Sequence, residues 1–99
     1  MATPTATVVD INSLLDSRVG YRDGRPFIRG RRIGVDDVAA RHARGDSFET
    51  IRDDFALEPE QMHAALAYYY LHKDAMEEQW ERDAEEAEDE ARRLGIRTL

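Results

Sequence analysis

The chemistry available to this chain is concentrated in its arginines. Between positions 18 and 35, Arg18, Arg22, Arg25, Arg29, Arg31 and Arg32 face a single acid, Asp23. This gives a local charge of +5 in a protein whose net charge is −7. A guanidinium carries five donors in a planar fork that matches phosphate and carboxylate oxygens. A ribbon bearing Arg25, Arg29 and Arg31 is therefore a candidate DNA contact, to phosphates or within a groove. The other use of such arginines is pairing with acids, with Asp36, Asp37, Asp53 or Asp54 or with the acidic tail of a neighbouring chain. Further along, Gln61 and His63 are the side chains with base-reading chemistry near the start of a helix. They are flanked by Glu58 and Glu60, which repel phosphates. If DNA is bound, the hairpin arginines should contribute more than that helix.

The opposite charge lies at the other end. Residues 74–94 hold ten acids against Arg82, Arg92 and Arg93, a local charge of −7. Large or small apolar residues recur at helical spacing through Met62, Leu66, Tyr69, Met76, Trp80, Ala84, Ala87, Ala91 and Leu94. An anionic helix with an apolar stripe suits a basic groove on a partner. Tyr70, Met76, Trp80, Ala84, Ala87 and Leu94 are its candidate contacts, with Trp80 as anchor.

Catalytic chemistry is not legible. The chain has no cysteine, and His42, His63 and His72 have no companions at metal-ligand spacing, so no metal or cofactor is expected. Acid pairs such as Asp36-Asp37, Asp53-Asp54 and Glu85-Glu86 are adjacent and point to diverging faces. No nucleophile triad or glycine-rich phosphate loop occurs. The reading is a binding module and not an enzyme. No apolar run of membrane-spanning length exists, and residues 1–6 lack the features of a signal peptide. A cytoplasmic location is expected.

The elements that must position these residues follow from local signals. Residues 7–11 have the β-branched content of a short strand, and residues 12–16 suit one helical turn capped by Asn12 or Ser13. Strand residues from Val19 lead to Asp23-Gly24, a hairpin turn signal. Phe27-Ile28-Arg29 and Arg32-Ile33 read as further strand, interrupted at Gly30. A first helix runs over 35–45 with Asp36 as N-cap and Gly45 as its stop. A second helix opens at Asp46-Ser47-Phe48-Glu49 and turns Phe48, Ile51 and Phe55 to the core. A third starts with Pro59 at its first turn and shows no clear end before Gly95. Its stripe fits one continuous helix or one kinked near 73–76. Ile96 and Leu99 are placed to fold back. The expected architecture is mainly α: a short β-hairpin, a helix-turn-helix unit and a long amphipathic C-terminal helix. Its divisions are 1–18, 19–74 and 75–99.

Gly24-Arg25-Pro26-Phe27-Ile28-Arg29-Gly30-x-Arg32-Ile33-x-Val35, then Gly45-x-Ser47-x-Glu49-x-Ile51, Glu60 and Ala64-Ala65-Leu66-x-Tyr68, resemble domain-of-unknown-function family 433 (DUF433) over about residues 20–72. The resemblance implies a hairpin before a homeodomain-like three-helix unit, usually as a dimer. It also implies an antitoxin role against a PIN-like ribonuclease, with binding to the protein's own operator, as in VapB-type antitoxins. Arg32 belongs to the family box and so is assigned to the fold, leaving Arg25, Arg29 and Arg31 for a ligand. The chain departs from the pattern at Arg31, Gly34 and Glu58, where Thr, Pro and a hydroxyl cap are usual. The competing reading is a homo-oligomeric scaffold or adaptor that binds no DNA.

Overall fold

The computed structural model describes residues 10–96. It is mainly helical, with one two-stranded antiparallel hairpin. The order is α1 (Ile11–Arg18), β1 (Val19–Arg22), β2 (Arg25–Ile28), α2 (Val35–Ala43), α3 (Phe48–Phe55), α4 (Pro59–Leu71) and α5 (Lys73–Arg93). Helix α1 replaces both the single turn and the end of the strand expected before it. Asp10 accepts from the backbone N–H of Asn12 at 3.3 Å and caps the helix, while positions 7–9 lie outside the described residues.

The hairpin forms where the turn chemistry places it. Asp23 and Gly24 both take positive φ, 53° and 77°, as a two-residue turn of this hand requires. Val19 then pairs with Ile28, and Gly20 with Phe27. A Cβ on Gly20 would come within 2.9 Å of the Phe27 ring, so the absence of a side chain lets that ring lie over the strand. The expected Arg32-Ile33 strand reduces to one bridge between Phe27 and Gly34. The chain reverses at Ile28–Arg31 instead, with Gly30 at φ 77°.

Helix α2 is capped by Gly34 and not by Asp36: the Gly34 N–H donates to Asp37 Oδ2 at 3.0 Å. The usual proline could not make that bond, which gives the departure at position 34 a structural use. Ser47 caps α3 through the Thr50 N–H at 3.1 Å. Three residues, with Ala56 left-handed, join α3 to α4, so α3 and α4 form the helix-turn-helix corner. Pro59 opens α4 as expected. The long third helix is two helices: His72, at φ −124° and ψ 25°, ends α4 and starts α5.

Val19, Ile28, Val35, Val38, Ile51, Leu57, Met62 and Tyr69 form one core, with Phe48 and Phe55 packed against it. The apolar side expected for α3 is thus the side it buries. The core also reaches further along the chain than the division at residue 74 implies, since Met76 is buried and Trp80 packs on it.

The corner between α2 and α3 is tied by charge. Asp46 accepts from Arg41 Nε at 2.8 Å and from Arg44 Nη2 at 2.7 Å, and Arg41 also reaches Asp54 at 2.6 Å. The guanidinium of Arg44, and then that of Arg41, holds the Asp46 carboxyl at about 2, below its ordinary 3.8. A depressed carboxyl stabilises the fold above its unfolded-state value and loses that contribution as pH falls through the folded-state one. Asp46→Asn should therefore lower the melting temperature at neutral pH and flatten the loss of stability between about pH 4 and 2. Parallel acid limbs for the two proteins in a pH series of thermal melts would contradict this.

Candidate nucleic-acid and partner interfaces

The arginines of the hairpin region do different jobs. Arg25, at the start of β2, donates to Asp36 of α2 at 3.3 Å and to both oxygens of Asp83 of α5 at 3.0 and 3.1 Å. The Asp83 carboxyl is held below its usual range by Arg25 and then by Gln79. Asp36 moves the other way, because its partial burial outweighs the attraction of Arg25. Arg31 donates to the carbonyls of Phe55 and Ala56, each at 2.6 Å. It therefore closes the C-terminal end of α3, where free carbonyls and the helix dipole favour a cation. The residue that departs from the family pattern at 31 thus locks the turn of the helix-turn-helix.

Two of the three arginines expected to be free are therefore engaged within the chain. Arg25 makes the pairing expected with Asp36, and the acidic segment it meets, at Asp83, is that of its own chain and not of a neighbouring one. Arg29 keeps its terminal nitrogens available and uses only Nε, on the Val19 carbonyl at 3.1 Å. Arg32, assigned to the fold, is exposed and makes no side-chain hydrogen bond or ion pair among the described residues. Arg22 is also exposed, with its guanidinium over the Phe27 ring at 4.4 Å. Arg22, Arg29 and Arg32 are thus the accessible cations of the hairpin.

Of the expected base readers on α4, Gln61 is engaged within the chain and His63 is exposed. The Gln61 side chain accepts from the Glu58 N–H at 2.9 Å and caps the helix, while the His63 ring lies 5.0 Å from that of Phe48. Glu58 and Glu60 remain exposed beside them. The three consecutive tyrosines diverge as a helix requires. Tyr69 is buried, Tyr68 meets the Tyr21 hydroxyl at 3.2 Å, and Tyr70 is exposed with its hydroxyl 2.6 Å from His42 Nε2.

Helix α5 divides at Asp83. Its first half docks on the body through buried Met76, through Trp80 stacked on Tyr69 at 5.8 Å, and through the Arg25–Asp83 pair. Met76 is thus spent on the chain's own core, and Trp80 is largely so. From Ala84 to Glu90 every residue is exposed, Ala84 and Ala87 included, and Leu94 is 64% exposed. Arg92 and Arg93 pair with Asp89 and Glu90 one turn back, leaving Glu85, Glu86 and Glu88 without a cationic partner among the described residues. Among those residues there is no cluster of metal-ligating side chains and no helix long and apolar enough to cross a membrane. Ile96, expected to fold back, is exposed, and Leu99 lies outside the described residues.

A hairpin is thus riveted to a helix-turn-helix unit, with accessible cations on the hairpin and an exposed anionic helix running on from Asp83, beside Arg25. The chain belongs to the family described as "Protein of unknown function (DUF433)", whose model matches residues 18–69. A protein of Mycobacterium tuberculosis (strain ATCC 25618 / H37Rv) named "Putative antitoxin VapB45" is 37% identical over 57 residues, which are 58% of this chain and 23% of that protein. The chain thus aligns with about a quarter of the length of this curated relative. No solved structure matches it.

Arg31→Ala should destabilise the fold by about 2 kcal/mol, since two charge-assisted bonds to the end of α3 are lost. Arg32→Ala should leave stability within about 0.5 kcal/mol of the original. Urea denaturation of the two variants checks this, and equal midpoints would remove Arg31 from the fold.

Proposed function

We propose that this chain is an antitoxin module that covers a ribonuclease toxin of the PIN-like class with the free half of α5 and contacts operator DNA with its hairpin. The observation that carries the first part is the exposed anionic run from Ala84 to Glu90 beyond the last contact with the body. Its charge suits the basic surface of an enzyme that holds RNA, and Ala84, Ala87 and Leu94 supply apolar area beside it. The antitoxin name of the relative agrees with this reading. Dimerisation would double both contacts, and Tyr70 and Leu71, each more than half exposed, are available for a second copy. A binding partner of this kind needs no catalytic group of its own.

For DNA, the accessible cations favour the hairpin over α4. Glu58 and Glu60 oppose phosphates at the start of α4, and Gln61 would have to give up its cap to read a base. Arg22, Arg29 and Arg32 carry no such penalty.

Two measurements test the proposal. Glu85, Glu86 and Glu88 replaced together by Gln should keep the circular dichroism of the chain and abolish co-purification of a small ribonuclease from the native cell. Retained capture would exclude charge mimicry by α5. In a gel shift with the promoter region of its own operon, Arg29→Glu with Arg32→Glu should abolish binding, whereas Gln61→Ala should weaken it only slightly. Unchanged affinity of the arginine variant would remove the hairpin as the DNA surface.

A further inference from the structure

We infer that Asp83 of α5 shields Arg25 of the hairpin, so that the C-terminal helix and a polyanion compete for the same guanidinium. The inference rests on the reading of the hairpin as a DNA surface and adds an autoinhibitory contact to it. Three observations converge on Arg25. It lies in the same short hairpin as the accessible Arg22 and Arg29, so a duplex laid along that edge meets it. Its side chain is half exposed, 51%, and is therefore not sealed within the core. Both terminal nitrogens are nevertheless taken, one by Asp36 of α2 and the other by both oxygens of Asp83, 58 residues away in sequence.

Arg25 and Gln79, the two side chains that hold Asp83, both line a groove of about 350 Å³ together with Pro26, Asp36, Tyr68 and His72. The groove lies between the hairpin turn and the corner where α4 becomes α5. Beyond His72, α5 is held to the body by Met76, Trp80, the hydrogen bond from the Tyr69 hydroxyl to Glu77 and this ion pair, so releasing Arg25 removes one of few fastenings. The hydrogen bond from Gln79 Nε2 to Asp83 Oδ1, at 2.9 Å, orients the carboxylate toward the hairpin. A phosphate that takes Arg25 must displace Asp83, and by linkage α5 docking and polyanion binding each weaken the other. Trp80 is the only tryptophan of the chain and stacks on Tyr69 within the docked half of α5. Its fluorescence therefore reports the docking directly.

The test is a double-mutant cycle on the full chain with a random-sequence DNA duplex, read over a salt series. Asp83→Asn should bind about two- to fivefold tighter than the original chain, the range of an exposed ion pair released. Its log K against log salt slope should be steeper by about 0.9, one additional phosphate contact. In an Arg25→Ala background the same Asp83→Asn change should have no such effect. Adding duplex to the original chain should shift Trp80 emission, and Arg25→Ala should suppress that shift. If the gain from Asp83→Asn persists without Arg25, it reflects only the loss of one negative charge, and the shielding is overturned. If the original chain binds duplex and Asp83→Asn matches it in affinity and slope, the shielding is overturned while the hairpin reading survives. If no variant binds duplex even at low salt, both fall together.

Discussion

A two-stranded hairpin of four-residue strands does not hold itself together in water. Here everything else depends on how that shortfall is met. Val19 and Ile28 put one side of the hairpin into the core, each contributing roughly 1.5–3 kcal/mol as a buried aliphatic side chain. The other ties are guanidinium bonds that leave the hairpin region for three helices. Arg25 reaches the first turn of α2 and the middle of α5, and Arg31 reaches the last carbonyls of α3. Without them the hairpin, the helix-turn-helix corner and the base of α5 would be joined by apolar contact and two tyrosine hydroxyl bonds, Tyr21 to Tyr68 and Tyr69 to Glu77. With them the three are cross-linked by charge, and α5 is fastened to the hairpin at Asp83.

That constraint divides the charges of the chain into two groups. Cations used as rivets are withheld from ligands while the rivets hold, so the basic surface is smaller than the +5 of residues 18–35 implies and centres on Arg22, Arg29 and Arg32. On α5 the division falls at Asp83. Up to that point two acids serve the fold: Glu77 accepts from the buried Tyr69 hydroxyl at 2.9 Å, and Asp83 itself holds Arg25. After it, the acids project into solvent with alanines between them. A helix so polar gains little from its own chain by extending that far, because its stripe there is too thin to bury. Occupation by a partner is the physical reason for such a segment that the proposed function supplies.

What was legible in the sequence follows the range of the forces involved. Asp23-Gly24, Ser47, Gly45 and Pro59 act on their immediate neighbours, and each did what its residue type requires. The helical spacing of Phe48, Ile51 and Phe55, and of Met62 and Tyr69, was equally readable. The break at His72 was readable only as one of two alternatives, a kink near 73–76, because Lys73 interrupts the stripe there without any Gly or Pro to decide between them. The exchange of roles among the arginines was also hidden. No local pattern links Arg25 to Asp83 or Arg31 to the carbonyl of Ala56, since those bonds depend on how the helices pack. Backbone carbonyls leave no trace in residue type, so a cation that caps a distant helix looks like a free one. The displacement of Asp36 by Gly34 as the cap of α2 has a similar cause: the donor is a glycine N–H, and the acceptor, Asp37, stands three residues later.

The most direct measurement of this division is hydrogen–deuterium exchange along α5 in the isolated full chain. We expect amides before Asp83 to be protected to the level of α4, and amides from 84 to 93 to exchange far faster, as a helix held only by its own hydrogen bonds does. Strong, uniform protection through residue 93 in the isolated chain would contradict the account, because it would place the acidic half of α5 against another copy and leave no free surface for a toxin.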